Sequence, residues 1–257
     1  MTKLDQRANG KYITRKKRFV PIASFRPATI EKVFDFAYSM SFGKIGEHRD
    51  HRSGGTHHRK NGEIFADTFQ GKLSEFAFYN IGHAALPLEN PDVGAWKRGE
   101  WDDVDFVVNG HKLNIKSTKA IGNLLLLETK DWTDAGHYIP NKNKISDTYD
   151  FFILMRMQPF AAEIMGRNKL KFENTVDKEK LRKLICGEQW TYDIAGWISH
   201  DQLISVIKNK HIIHKDDMLN GLTRMDAENY YVQSGDMHDI SELINLLKTQ
   251  KKQNENA

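Results

Sequence analysis

The chain of 257 residues has a single cysteine, Cys186. One cysteine excludes an intrachain disulfide and a zinc site built on several thiolates, and it fits a reducing compartment. No apolar run approaches the roughly 20 residues of a membrane-spanning helix, and residues 1–19 lack the apolar segment of a secretory signal. We therefore expect a cytoplasmic protein with no membrane partner.

Three sequence motifs of common enzyme classes are also absent. The chain has no Gly-rich dinucleotide-binding loop, no P-loop and no G-x-S-x-G nucleophile elbow. A metabolic α/β enzyme that depends on one of these motifs is therefore without support.

Positive charge is concentrated at one end of the chain. Residues 1–60 contain 14 Lys and Arg against 5 Asp and Glu, a net charge of +9, whereas the remainder carries −5. A basic front beside a mildly acidic body favours contact with a polyanion, of which double-stranded DNA is one candidate. The candidate DNA-binding residues are Arg15, Lys16, Lys17, Arg18, Arg49, Arg52, Arg59 and Lys60.

Two parts of this basic region allow other interpretations. Residues 1–20 are predicted to be a loosely attached basic arm, which could also be a disordered segment without a partner. The loop 46–63 contains four histidines, His48, His51, His57 and His58. It could therefore bind zinc through histidine alone, or it could be an ordinary mobile surface loop.

Apolar periodicity predicts one α/β domain around a mixed sheet. Helices are predicted at 28–42, 64–81, 177–187, 199–209, with Ser199 as N-cap, and 237–250. Strands are predicted at 149–157, 190–198, with an interruption at Gly196, and 230–232. Residues 124–130 fit either a strand or a short buried helix, and the sequence AAEIMG after Pro159 is predicted to continue the sheet.

The stretch WDDVDFVVNGHKLNIKSTK, residues 101–119, predicts a β-hairpin, because two alternating runs are joined by Asn-Gly. Alternation along the strands places Val104, Phe106, Leu113 and Ile115 on the inner face. The other face then carries Asp103, Asp105, Asn114 and Lys116. Carboxylate and amide oxygens beside one ammonium group suit a divalent cation and a phosphate, although a solvent-exposed Asp105–Lys116 ion pair is an alternative.

This hairpin resembles the active-site hairpin of the PD-(D/E)xK nuclease superfamily, which has the restriction-endonuclease-like fold. In that pattern an acidic residue, here Asp105, precedes a turn and a strand with acid-x-Lys, here Asn114-Ile-Lys116. The sequence GKLSEFA around Glu75 resembles the upstream helix that carries a metal-facing glutamate, and YDFFILMRM resembles the buried strand that follows. The resemblance covers residues 64–160, and its short motifs are specific only as an ordered set.

The resemblance implies a central mixed β-sheet flanked by helices and a Mg²⁺-dependent endonuclease, in particular a type II restriction enzyme. The implied catalytic residues are Asp105, Lys116, Asn114 and Glu75, and the implied Mg²⁺ ligands are Asp105, Asp103, Glu75 and Asn114. Residues 1–257 would form one nuclease domain, with a catalytic core at 64–160 and a part for DNA recognition or homodimer formation at 161–257.

Asn114 stands where the pattern usually has Asp or Glu. This departure leaves open a catalytically inactive, DNA-binding descendant of the family. A nuclease of repair, recombination or transposition is another alternative. Glu75 could also be an ordinary solvated position on its helix.

Overall fold

The computed structural model describes residues 1–43, 59–94, 104–141 and 147–249, which form a mixed α/β structure. The helices are α1 Pro27–Ser41, α2 Asn61–Gly82, α3 Ala161–Arg167, α4 Lys178–Cys186, α5 His200–Lys208 and α6 Ile240–Thr249. The strands are β1 Asp5–Arg7, β2 Gly10–Tyr12, β3 Ala23–Ser24, β4 Phe106–Val108, β5 His111–Lys119, β6 Leu124–Glu128, β7 Phe151–Gln158, β8 Thr191–Ser199, β9 Ile212–Ile213, β10 Met218–Leu219, β11 Thr223–Arg224 and β12 Asn229–Gln233. Within these ranges no helix combines the length and the apolarity needed to cross a bilayer.

A five-stranded mixed sheet with the order β3-β8-β7-β5-β4 positions the hairpin. Strands β5 and β7 are parallel, and the other neighbouring pairs are antiparallel. Two smaller sheets have the orders β6-β12-β9 and β1-β2-β10-β11. A mixed sheet with helices confirms the predicted α/β class.

The five-stranded sheet is covered on both faces, which explains why β7 is buried along all but its last residue. Ile153 and Met155 of β7 pack with buried side chains of α1, α2, α3, α4 and α6, and we name this side the α2 face. Phe152 and Leu154 pack with buried side chains of β6, α5 and β12, and we name this side the β6 face.

Several predicted elements are confirmed, including the helices at 28–42 and 64–81 and the strands at 149–157 and 190–198. Gly196 has φ +148°, and the pairing of β7 with β8 shifts register beside it, so the predicted interruption is a β-bulge. Ser199 caps α5 and accepts a hydrogen bond from the backbone N–H of Gln202. Residues 124–128 form a strand.

Two predictions are wrong. The sequence AAEIMG does not continue the sheet but lies in α3, where Ala161, Ile164 and Met165 are buried at helical spacing. Residues 1–20 are not a loosely attached arm. Strand β2 pairs with β10, and the backbone N–H groups of Thr14 and Arg15 both donate to Gln233 Oε1, at 2.8 and 3.0 Å.

Candidate active site

The predicted hairpin is present, and its turn has the geometry that Asn-Gly favours. Asn109 and Gly110 have φ of +50° and +87°, as a type I′ turn requires at both central positions. The register pairs Phe106 with Leu113, and both side chains are buried on the α2 face. The hairpin thus brings the chain before Phe106 alongside Asn114.

The first strand of the hairpin begins at Phe106, and the residue before it contacts β5 through its side chain. The Oδ2 atom of Asp105 accepts a hydrogen bond from the backbone N–H of Ile115 at 2.6 Å. This bond holds the carboxylate at the edge of β5, beside the backbone that joins Asn114 to Ile115 and one residue before Lys116. The position of Asp105 is therefore set by the strand that carries the other two candidate residues.

One detail of the predicted faces, the position of Val104, is wrong. Residues 104 and 105 form a bend rather than strand, so the alternation of the hairpin does not extend to Val104. Val104 packs against the cluster on the β6 face and not with Phe106 and Leu113 on the α2 face.

Asn114 and Lys116 lie on the β6 face, because their neighbours in β7 are Phe152 and Leu154. Asn114 is 7% exposed, and its Oδ1 atom is buried without a hydrogen-bond partner. Buried polar atoms are nearly always paired, and an unpaired one costs about 1–3 kcal/mol. This unpaired carbonyl oxygen belongs to the residue that precedes Ile115, whose N–H holds the Asp105 carboxylate, and it shares a face with Lys116, an arrangement that a bound ligand would satisfy.

Glu75 lies in a different environment. Its Oε2 atom is 2.6 Å from Nζ of Lys72, and the two side chains are 17% and 13% exposed. Helix α2, which carries both residues, packs on the face opposite to Asn114 and Lys116. Asp103, the other predicted carboxylate ligand, lies outside the described residues.

The oxygen atoms at the hairpin include those of Asp105 and Asn114, and Asp150 Oδ2 accepts a hydrogen bond from the backbone N–H of Lys112 in β5 at 2.8 Å. Within residues 1–43, 59–94, 104–141 and 147–249, no three carboxylate, histidine or cysteine side chains are grouped so that they could hold a metal ion. Magnesium ions are commonly bound through only one or two carboxylates, with water and substrate phosphates completing the coordination. The hard oxygen donors of Asp105 and Asn114 therefore fit Mg²⁺.

The predicted DNA-binding residues differ in their surroundings. Arg15, Lys16 and Arg18 are exposed, whereas Lys17 donates from Nζ to the carbonyl oxygen of Met237 at 3.0 Å, and burial lowers the pKa of Lys17. Arg59 Nη1 lies 3.2 Å from Asp67 Oδ2.

The remaining basic candidates lie at or beyond the start of α2. Lys60 is exposed and immediately precedes that helix. Arg49, Arg52 and the four histidines of the loop lie outside the described residues. The DNA-contacting loop at 46–63 therefore stays a prediction.

A buried ion pair that the sequence interpretation missed lies on the same face as Lys116. Arg156 and Asp193 form two hydrogen bonds, Nε to Oδ1 at 2.8 Å and Nη2 to Oδ2 at 2.6 Å. Their side chains are 1% and 5% exposed. The sequence signal was an arginine inside the apolar run FFILMRM, because a fully buried arginine requires partners.

The single cysteine has no part in the chemistry of this site. Burial raises the pKa of the Cys186 thiol to about 12. The thiolate is the nucleophilic form of cysteine, and at neutral pH almost none of it is present here. Cys186 lies in α4, which packs on the α2 face.

A comparison of the chain with protein-family models, curated proteins and solved structures finds no match. The interpretation of the site therefore depends on its own residues. These are a carboxylate fixed on the β5 backbone, an unpaired buried amide oxygen and a lysine on the same face as that amide.

Proposed function

We propose that the protein is a Mg²⁺-dependent endonuclease of double-stranded DNA with a restriction-endonuclease-like fold, and specifically a type II restriction enzyme. The observation that carries the proposal is the arrangement on β5. Asp105 is bonded to the N–H of Ile115, the neighbouring Asn114 has an unpaired buried Oδ1, and Lys116 shares the face of Asn114. These groups match an acid, an oxygen donor and a lysine in the order of the PD-(D/E)xK pattern.

The connection of the strands supports the same proposal. The acidic residue precedes a short antiparallel hairpin, and the strand with Asn114 and Lys116 pairs in parallel with the buried strand β7. The upstream helix α2 packs beside this unit, as the resemblance implies. The residues that follow β7 add strand β8 to the sheet and form the two smaller sheets together with β1, β2 and β6, which leaves surface for reading a DNA sequence.

Asp105 and Asn114 would hold Mg²⁺, which in such a site polarises a phosphodiester and promotes ionisation of a bound water. The bond from Ile115 N–H holds the Asp105 carboxylate in position before substrate arrives. The Lys116 ammonium, on the same face as Asn114, would orient the attacking water or stabilise negative charge that develops on phosphate oxygens. A preorganised donor of this kind typically contributes a factor of about 10²–10³ to the rate.

The test is cleavage of plasmid DNA with and without Mg²⁺, using two lysines of the same strand. Lys116→Ala should lower the cleavage rate by about a hundredfold or more, since it removes the preorganised cation. Lys119→Ala is the matched control. Lys119 is also on β5, but it lies on the opposite face and pairs with Glu163 of α3 at 3.2 Å. Equal rates for the two variants would contradict the proposed site.

Two substitutions at Asp105 distinguish the role of its negative charge from that of its hydrogen bond with Ile115 N–H. Asp105→Asn keeps an oxygen that can accept from Ile115 N–H but removes the negative charge, whereas Asp105→Ala removes both. We expect both variants to abolish cleavage and only Asp105→Ala to lower the melting temperature. Near-normal cleavage by Asp105→Asn would exclude the carboxylate as a metal ligand.

A DNA-binding protein without catalytic activity is the second candidate. It is favoured by the neutral amide at position 114, where the PD-(D/E)xK pattern usually has an acid. The plasmid assay separates the candidates. Discrete fragments indicate restriction, smearing or nicking indicates a nuclease of repair, recombination or transposition, and binding without cleavage indicates the non-catalytic protein.

A further inference from the structure

The exposed basic residues near the N-terminus lie on the same face of the sheet as Lys116. In the pairing of β5 with β7, Lys116 is opposite Leu154 and Thr118 is opposite Arg156. The Arg156 guanidinium donates from Nη1 to the carbonyl oxygen of Lys17 at 2.7 Å and from Nη2 to that of Arg18 at 3.0 Å. Because two residues of a strand span roughly 7 Å, this basic segment lies a short distance beyond Lys116 along the β6 face.

The backbone of residues 15–18, which we name the basic strap, is held at several points. The N–H of Lys17 donates to Asn123 Oδ1 at 3.1 Å, and just beyond the strap the N–H of Val20 donates to Asp193 Oδ2 at 2.9 Å. Together with the two bonds from Arg156, these contacts anchor the strap to the core. The buried Arg156–Asp193 ion pair therefore forms hydrogen bonds with the backbone of the strap and of Val20.

The side chains of the strap have two different orientations. Arg15, Lys16 and Arg18 are exposed, with Arg15 Nε 3.3 Å from the carboxylate of Asp236. Lys17 turns inward to the carbonyl oxygen of Met237. Three cationic groups are therefore presented to solvent from a backbone that is already ordered.

We infer that the basic strap is a preorganised phosphate-binding element, in which Arg15, Lys16 and Arg18 contact the backbone of the DNA duplex and Lys17 serves as an internal anchor. The strap and Lys116 both lie on the side of the sheet that β6, α5 and β12 cover, so a duplex with a phosphodiester at Lys116 would meet the strap at the protein surface on that side. An ordered backbone lowers the entropic cost of forming these contacts. The inference depends on the proposed function only for the identity of the polyanion as DNA.

The test measures binding of full-length protein to a labelled DNA duplex in EDTA, at several salt concentrations. Each phosphate contact contributes about 0.9 to the slope of log K against log salt. The triple variant Arg15→Gln, Lys16→Gln and Arg18→Gln should therefore reduce the slope by about three.

The matched control removes the same charge from the other side of the sheet. Arg167, Lys169 and Lys180 are exposed and lie in or beside α3 and α4, which pack on the α2 face. Changing all three to Gln should leave the slope unchanged. An equal loss of slope in the two triple variants, or no loss in either, would overturn the inference. An equal effect on binding of single-stranded RNA, with no binding of the duplex, would overturn it as well.

The outcome is distinct from that of the proposed function, because binding in EDTA requires no cleavage. If the strap variant loses slope but the wild type never cuts DNA, the strap stands and the nuclease proposal fails. If the wild type cuts DNA but the strap variant binds with the parental slope, the nuclease proposal stands and the strap inference fails.

Discussion

Arg156 and Asn114 are polar residues buried on the same face of the same sheet, in neighbouring strands, and their surroundings are opposite. Every nitrogen of the Arg156 guanidinium donates to an oxygen atom, from Asp193, Lys17 or Arg18. The Oδ1 atom of Asn114 has no partner. A fully paired buried network stabilises one arrangement of the chain, whereas an unpaired buried atom is a cost that function can explain.

The largest effect is expected from breaking the paired network. Arg156→Met leaves the Asp193 carboxylate buried without its cation, and the cost of such a change is about 3–5 kcal/mol of unfolding free energy. Urea denaturation followed by circular dichroism measures it. The double variant Arg156→Met, Asp193→Leu should regain part of this loss, but it still leaves the carbonyl groups of Lys17 and Arg18 without their donor.

If Arg156→Met were as stable as the wild type, the Arg156–Asp193 ion pair would contribute little to the free energy of unfolding. In that case the contrast with Asn114 would disappear.

Removing the unpaired amide should have the opposite effect on stability. Asn114→Leu replaces a buried polar group by an apolar one of similar size, so we expect the free energy of unfolding to rise by up to about 1–3 kcal/mol while cleavage is lost. Urea denaturation and the plasmid assay on the same preparation measure the two effects. A less stable variant would indicate that Oδ1 of Asn114 is hydrogen-bonded in solution.

Introducing the usual acid at position 114 tests whether this residue binds the metal ion. Asn114→Asp places a second carboxylate beside Asp105, and we expect cleavage to survive with a lower Mg²⁺ requirement, because Mg²⁺ prefers anionic oxygen. The melting temperature of this variant should also rise with added Mg²⁺ more than that of the wild type. Parental behaviour in both titrations would separate Asn114 from the metal site.

The smallest effect is expected at an exposed polar contact, where water can replace a lost partner. Hydrogen bonds from His214 at 2.6 Å and from Thr129 at 2.9 Å hold the pKa of Glu228 below its ordinary value. This contribution is present above the ordinary pKa of about 4.3 and is lost as the pH falls through the lower pKa of the folded state.

Glu228→Gln should therefore lower stability by no more than about 1 kcal/mol at pH 7 and flatten the decline in stability at acidic pH. Melting curves between pH 7 and pH 3 check this. A parallel decline in the variant and the wild type would assign no role to the contact.

The sequence alone predicted the features that depend on neighbouring residues. The Asn-Gly turn, the interruption of β8 at Gly196 and the cap at Ser199 were all predicted, because a positive φ or a capping hydroxyl is a property of the residue itself. The prediction of a strand at α3 was wrong. The helical spacing of Ala161, Ile164 and Met165 in the sequence already indicated a helix.

The features that were missed depend on residues far apart in the chain. Nothing in the sequence near Lys17 indicates that its carbonyl oxygen accepts from Arg156, 139 residues away. The bond from Ile115 N–H to the Asp105 carboxylate was also missed. Strand alternation predicts only the side of the sheet on which a side chain lies, and it does not predict that a side chain accepts a backbone hydrogen bond from the neighbouring strand. Alternation correctly placed Asn114 and Lys116 on one face of β5, but it placed Val104 on the wrong one.

The attachment of the N-terminal residues has a consequence for the order of folding. Thr14 and Arg15 bond to Gln233 across 219 and 218 positions of sequence, and Val20 bonds to Asp193 across 173. Contacts of such separation form late, since a long segment of chain must first be closed into a loop. During synthesis these residues leave the ribosome before strand β12 does, so a chain made only as far as β8 cannot yet hold the basic strap in its ordered position.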